Sequence, residues 1–396
     1  MSEINYTAAE RRRALLAIIA STIGVVIGFG AVVPLVSVRL EQMGTPPWLI
    51  GLHAAMFAMA VMTVGPFLPR ILGRFGALRV IYTGFSIAVI ATLLMAVLPP
   101  MPSWFILRFI MGMALAGHWV ATESWINILT TEQNRGKVMA LYAMTMAAGF
   151  TVGPIVLQQT GTDGALPFVV IAACIGISVT PILFIGRVTP SISHHGETSI
   201  FKIMRLSPLI MLAAAVSGFL DMSVYTQLPI QALRLGIAEK DALLMVSLFI
   251  SGNIFLQLPL GWIADRLGRP VILIACTLIS LGGALLLPLV IAQTIPLYIL
   301  LFLWGGSVYG LYTLSVAMIG DRFKAQDVGV ANTAFIMVFE LGSTTGPVIT
   351  GAAMDISRDL GFSIILTLGA VVLLVASLFA LRKRRRATES DLCSET

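Results

Sequence analysis

The sequence predicts an all-α integral membrane protein of twelve transmembrane helices, arranged as two pseudo-symmetric halves of six. Three observations carry this: the composition, the spacing of the apolar runs, and glycine landmarks that recur at a constant interval. Hydrophobic residues fill 58% of the 396 positions and charged residues only 11%, against about 25% charged in a soluble domain. A bilayer span needs about 20 mostly apolar residues. The chain offers twelve such runs, near 14–39, 48–69, 77–98, 102–129, 136–159, 165–186, 206–231, 240–263, 270–291, 296–320, 327–352 and 358–382. The first lacks a small-residue cleavage site followed by a polar mature chain, so it is read as a span and not as a removable leader.

The cations set the orientation. Twenty of the 25 Lys and Arg residues fall in the termini and in alternate loops, among them Arg11–Arg13, Arg70, Arg74, Arg79, Arg266, Arg269 and Arg382–Arg386. By the positive-inside rule that side is cytoplasmic, and both termini lie on it. This placement, in loops between spans, explains the net charge of +6 without a nucleic-acid partner. Three cysteines give no disulfide framework, and Cys174 and Cys276 are expected to fill apolar space.

In chain order, Arg11–Arg13 stop the first span, and Gly24, Gly28 and Gly30 within it allow close helix contact. Trp48 and Trp104 are expected at the outer interface, where an amphipathic ring belongs. The longest connection, 187–205, holds Pro190, the adjacent His194 and His195, and a short basic amphipathic piece at Phe201–Arg205. Two adjacent histidines without other ligands are weak grounds for a metal site, so the segment is read as a linker. The predicted division is a first half 1–186, a linker 187–205, a second half 206–382 and a tail 383–396.

The halves echo each other. Gly112 and Gly305, Gly117 and Gly310, Gly136 and Gly329, and Gly153-Pro154 and Gly346-Pro347 each stand 193 positions apart. Gly149 and Gly342 keep the same interval, and Gly73-Arg74 and Gly268-Arg269 stand 195 apart. Halves of equal orientation imply parallel repeats, with a substrate site near the midplane. The polar hairpin GWIADRLGRP supplies Gly261, Asp265, Arg266, Gly268 and Arg269 as a tight turn between two spans. GPFLPRILGR, with Gly65, Arg70, Gly73 and Arg74, reads as its blurred copy, with Pro69 where the acid should be.

These motifs resemble the major facilitator superfamily over essentially the full chain. GWIADRLGRP is similar to the family's loop motif G-x-x-x-D-R-x-G-R-[RK], apart from Pro270, and the resemblance implies a gate latch there, which makes the named residues of this hairpin and of its copy gating-loop candidates. Arg108 and Gly112 match a fourth-span pattern, R-x-x-x-G, associated with proton-coupled members. Gly149, Gly153 and Pro154 match the start of a fifth-span antiporter pattern, whose trailing Gly-Gly is here Leu157-Gln158. Glu123-Ser124-Trp125-Ile126-Asn127 resembles a feature of a poorly characterised bacterial branch. The resemblance implies alternating access, a cavity lined by spans 1, 4, 7 and 10, and helix hinges at Gly149, Gly153, Pro154, Gly342, Gly346 and Pro347.

Ionisable side chains well inside spans cost about 2.5–3.5 kcal/mol each on insertion scales, so each is a functional candidate. They are Arg108, Glu123, Asp221 and Glu340. On one face of span 4, Gly112, Trp119 and Glu123 fall within about 60° of Arg108. His118 points away and reads as a packing residue. Asp221 shares a face with Ser217 and Tyr225. Glu340 lies with Thr333, Met337 and Thr344, and its counterpart in the first half is Ala147, so the acid belongs to one half only. Trp119, Tyr225, Tyr309 and Tyr312 are candidate cavity aromatics. Asn253 and Gln257 either face the cavity or bridge helices.

No metal-binding, phosphate-loop or nucleophile motif appears, so no enzyme, cofactor or metal is expected. The expectation is a monomeric secondary transporter in the bacterial cytoplasmic (inner) membrane, whose partners are protons, a small-molecule substrate and the lipid bilayer. Proton antiport of a small amphipathic or cationic molecule is the first reading, with Asp221, Glu340, Glu123 and Arg108 carrying the coupling. Proton-coupled uptake of a small polar solute such as a sugar or organic anion is the alternative. A non-transporting receptor or lipid-handling protein is the remote one.

Overall fold

Inside a bilayer no water is available to pair with backbone amides, so a chain this apolar must satisfy them within helices. The computed structural model describes residues 7–130, 132–184 and 200–394, and the described residues form helices without strands. These are α1 (Ala8–Gln42), α2 (Pro47–Val64), α3 (Leu68–Phe75), α4 (Ala77–Val97), α5 (Ser103–Leu129), α6 (Glu132–Thr160), α7 (Leu166–Ile177), α8 (Val179–Leu183), α9 (Ile200–Leu206), α10 (Pro208–Arg234), α11 (Glu239–Leu267), α12 (Arg269–Val290), α13 (Thr294–Arg322), α14 (Ala325–Ile356) and α15 (Gly361–Ser394). Eleven stretches of them are long and apolar enough to cross a membrane. The predicted span 327–352 is α14, 32 residues long, whose apolar run is diluted by Glu340 and Ser343–Thr345. The His194–His195 linker lies outside the described residues, and the short basic piece at its end is α9. Beyond Arg382 the tail continues the backbone of α15.

Local chemistry sets the helix ends. Thr7 caps α1 through a capping box: its side chain accepts from the Glu10 N–H at 3.3 Å and the Glu10 carboxylate accepts from the Thr7 N–H at 2.8 Å. Span 2 is broken by Gly65-Pro66 into α2, a single 3-10 turn at Gly65–Phe67, and α3, whereas α11 runs unbroken through Pro259. Span 6 breaks at Ser178 into α7 and α8.

Contacts divide the chain into two compact units. One comprises 1–45, 52–195 and 238–247, the other 46–51, 196–237 and 248–396. In the first, α1 packs on α6 and α7, and α4 on α5 and α7. In the second, α10 packs on α14 and α15, and α12 on α13 and α15. The same scheme therefore occurs twice, as the glycine interval predicts. Its physical basis is close approach. Gly112 of α5 faces the backbone of Phe57 in α2, and its counterpart Gly305 of α13 faces the backbone of Phe249 in α11. Gly149 and Gly153 of α6 abut α1 at Val26 and Gly30, as Gly342 and Gly346 of α14 abut α10 at Ala215 and Phe219. Without a hydrophobic driving force between helices, such small-residue contacts let backbones approach and gain dispersion energy. Both α6 and α14 run unbroken through these glycines and through Pro154 and Pro347.

One expectation changes and one is sharpened. The hairpin between α3 and α4 turns at Gly76, with φ +81°, and that between α11 and α12 turns at Gly268, with φ +92°; both require the left-handed region that favours glycine. Gly76 is thus the counterpart of Gly268, and the register based on Gly73 is three residues early. In the corrected register Gly73 stands opposite Asp265, Arg74 opposite Arg266, and Ala77 opposite Arg269. Trp104, in the first turn of α5, is buried within the protein at 2% exposure and not open to lipid. Its indole donates to the Leu98 carbonyl at 3.2 Å and its ring meets Phe168 edge-on, so its polar tip is satisfied inside the protein.

Candidate functional site

The two acids of the second unit are brought together by backbone contact. Gly218 of α10 sits against the Phe339 carbonyl and the Ser343 side chain of α14. Asp221 lies one turn beyond Gly218, and Glu340 follows Phe339, so the tight crossing sets the two carboxyl groups within electrostatic reach of each other. One turn before Asp221, the Ser217 hydroxyl donates to the Val308 carbonyl of α13 at 3.2 Å. That bond registers α10 against α13 beside Tyr309, whose hydroxyl donates to the Asp221 carboxylate. Tyr225, buried one turn further along α10, is close enough to Tyr309 to interact with it. Asp221, Tyr309 and Glu340 are each half-buried. The arrangement is two carboxyls and a phenol from three helices, able to hold and hand over protons as one coupled group.

The other sequence candidates of this unit do different work. Tyr312 packs edge-on against Phe335 and Phe339, each with ring centroids 5.1 Å away, and so buttresses the helix that carries Glu340. Gln257 bridges helices, donating to the Gly306 carbonyl at 3.2 Å. Asn253 lies half-buried one turn earlier.

In the first unit, Arg108 is 1% exposed. Its guanidinium lies over the rings of Phe29 and Phe57, at 4.9 and 5.2 Å from their centroids. The R-x-x-x-G spacing has a local reason here: Gly112 lets α5 meet α2 at Phe57, one turn from where Arg108 stacks on that same residue. His53, unremarked in the sequence, is buried within electrostatic reach of Arg108, and its Nε2 is 3.2 Å from the Trp104 carbonyl. Stacking of a desolvated cation contributes about 2 kcal/mol, and an ammonium does not reproduce a planar guanidinium between two rings. Arg108→Lys is therefore expected to cost about 1–2 kcal/mol, read as a lower Tm of the purified protein in detergent. An unchanged Tm would show that the stacking carries no energy. His118 packs as expected, its ring 4.9 Å from Phe85 and its Nδ1 3.4 Å from the Thr122 hydroxyl.

The gating-loop candidates are unequal. Arg269, at the start of α12, lies 2.6 Å from Asp321 at the end of α13 and 3.6 Å from Asp265 at the end of α11, and donates to the Ala317 carbonyl at 2.7 Å. One guanidinium thus ties three helix ends. Arg266 lies over the Trp262 ring at 3.6 Å. Gly261 sits in the last turns of α11, with room for a side chain beside it. In the first unit Gly73 and Ala77 replace the acid and the clasping arginine, Arg74 stacks over Phe75 at 5.5 Å, and Arg70 is exposed. Asp321, which sequence reasoning missed, is 52 positions from Arg269 and carries no local motif. Its side chain is 60% exposed, so Asp321→Asn is expected to lower stability by only about 0.5–1 kcal/mol. That loss should be seen as a small Tm decrease at low salt that shrinks in 1 M salt.

The sequence model of the Major Facilitator Superfamily matches residues 18–238 and 210–392. The uncharacterized MFS-type transporter YfkF of Bacillus subtilis strain 168 is 28% identical over 355 residues, covering 86% of this chain and 89% of the relative. The uncharacterized MFS-type transporter of Enterobacter sp. strain 638 is 25% identical over 346 residues, with the same shares covered. Among solved structures, the nucleoside transporter NupG superposes with a TM-score of 0.74, covering 92% of this chain and 99% of that one. A bacterial homologue of the human lysosomal transporter Spinster superposes with a TM-score of 0.72, covering 94% and 96%. Both are 13% identical in sequence, a likeness of fold alone.

Proposed function

Because the chain belongs to the Major Facilitator Superfamily, whose members transport and are not as a rule enzymes, we propose that it is a proton-coupled secondary transporter that exports a small amphipathic or cationic organic molecule by antiport. The observation that supports this most is the Asp221–Tyr309–Glu340 group of the second unit. Two carboxyls held together away from bulk water cannot both be left charged and unpaired without a high electrostatic cost. Protons lower that charge, and so does an organic cation. Competition between the two for one negative site is the elementary step of antiport. Tyr309 keeps a donor on Asp221 while the occupant of the site changes.

The cycle follows from linkage. Protons bound on the acidic side of the membrane favour release of the cation; deprotonation on the other side favours its capture. Proton and cation need be coupled by only about 1–3 kcal/mol, which a pH difference of about one to two units supplies at about 1.4 kcal/mol per unit. We assign the working location to the bacterial cytoplasmic membrane, with both termini cytoplasmic, from the placement of Lys and Arg in alternate loops. The unit of function is a monomer. The glycine contacts along α6 and α14 serve as hinges within each half.

The test is transport by the purified protein in proteoliposomes with an imposed pH gradient. Antiport predicts that tetraphenylphosphonium accumulates in vesicles with an acidic lumen and does not in vesicles without a gradient. Accumulation of a neutral or anionic solute down the proton gradient, with no cation movement, would replace this reading by uptake, with Arg108 holding the anionic group.

A further inference from the structure

Glu123 is the intramembrane acid that the proton group of the second unit leaves unused. It stands near the end of α5, fifteen positions after Arg108, and at 100° per residue falls within about 60° of it. That face of α5 is turned to α1 and α2, where Arg108 meets Phe29 and Phe57. The lipid-facing side of α5 is the other one, since the exposed Ile106 and Ile128 each lie about 160° from Arg108. Glu123 is nonetheless exposed. It is an accessible carboxylate on the protein's own side of the helix, whereas the lipid-facing side would penalise it by about 2.5–3.5 kcal/mol.

Two aromatic groups accompany it. Trp119, one turn earlier on α5, is half-buried. Tyr142 of α6 is 4% exposed and lies within electrostatic reach of Glu123. Its hydroxyl has no hydrogen-bond partner among the described residues. A buried hydroxyl left so forfeits about 1–3 kcal/mol, which a ligand bringing a donor would restore. Carboxylate, indole and unsatisfied phenol together specify a ligand with positive charge, N–H groups and a flat apolar body.

We propose that Glu123, Trp119 and Tyr142 form the cargo site of the first unit, and that it takes an organic ammonium or amidinium carried on an aromatic body. Glu123 supplies the counter-charge, the indole face covers the cation, and the phenol oxygen accepts an N–H. This rests on the export reading and deepens it: the cargo is first recognised at Glu123 in the first unit, while its competition with protons stays at the Asp221–Glu340 group of the second.

Ethidium, a flat cation with amino groups, is the probe, and its fluorescence anisotropy with purified full-length protein at pH 8 is the readout. Glu123→Gln is expected to weaken binding by about 10-fold or more, Tyr142→Phe by about 3- to 5-fold, and Glu123→Asp to retain most of it. Because the Glu123 side chain is exposed, Glu123→Gln should keep the wild-type Tm, which separates lost recognition from lost folding. Binding by Glu123→Gln within about threefold of wild type would overturn the site. Proton release measured in the same titration distinguishes the two claims. Ethidium binding that depends on Glu123 but releases no proton sinks antiport and leaves the site. Normal binding by Glu123→Gln with intact proton release sinks the site and leaves antiport. No ethidium binding by the wild type overturns the site, and antiport is then decided by tetraphenylphosphonium accumulation.

Discussion

Asp221→Asn and Glu340→Gln are each expected to lower gradient-driven accumulation of tetraphenylphosphonium by about 100-fold, the upper end of the coupling between two ligand sites. Both replacements are nearly isosteric. Tyr309 can still donate to the amide oxygen of an asparagine, and the Gly218–Phe339 crossing that sets the pair is untouched. What is removed is the exchangeable proton and the charge. The expected signature is therefore selective: accumulation driven by an acidic lumen is lost, while the Tm in detergent stays near the wild-type value. The double variant should be no worse than either single one, because the two groups act as a unit. Accumulation within about threefold of wild type in either variant would remove that residue from the coupling step.

Gly305→Val is expected to have the largest effect on folding. Gly305 of α13 faces the Phe249 carbonyl of α11, with the Phe249 Cα 3.0 Å from where a Cβ would stand. Reciprocally, Gly252 of α11 faces the Phe302 carbonyl and Gly306 of α13. The obstruction is backbone on both sides, so no rotamer change relieves it. The helices must separate, losing the dispersion contacts that hold them in lipid, at about 3 kcal/mol or more. Tyr309 lies one turn along the same helix, so the bond to Asp221 should suffer with it. Size-exclusion profile and Tm in detergent provide the readout, with aggregation or a large Tm decrease expected. Gly282→Ala, in α12, is the control: nothing lies within 4 Å of the added carbon, and alanine favours a helix by up to about 1 kcal/mol over glycine. Equal stability of Gly305→Val and wild type would contradict the close-packing account of the repeated glycines.

The spans were legible because the bilayer imposes a length and a composition that few other constraints mimic. The repeat was legible because the close contacts at Gly112 and Gly305, and at Gly153 and Gly346, admit almost no other residue. The first hairpin was misread for a related reason. Gly73-Arg74 looks like Gly268-Arg269, but sequence likeness does not report φ, and the residue in the left-handed region is Gly76. Trp104 was placed at an interface by type, which does not report that Leu98 and Phe168 keep it covered.

All three members of the Asp221–Tyr309–Glu340 group, and Tyr225 beside it, were named from the sequence. Which of them meet was not legible. Spacing along α10 says that Ser217, Asp221 and Tyr225 share a face; it does not say that α13 presents Tyr309 to that face. That depends on Ser217 reaching the Val308 carbonyl and on Gly218 admitting Phe339, neither of which leaves a periodic trace. Tyr142 escaped notice likewise, because an unsatisfied hydroxyl is a property of packing and not of pattern.

The central claim, that an organic cation and protons compete at one acidic group, is tested most directly by proton release. Purified protein in weakly buffered detergent is titrated with tetraphenylphosphonium while a pH-indicating dye is followed. The account predicts saturable release of about one proton per bound cation, lost in Asp221→Asn or Glu340→Gln. Cation binding without proton release, or proton uptake on adding a neutral or anionic solute, would contradict it.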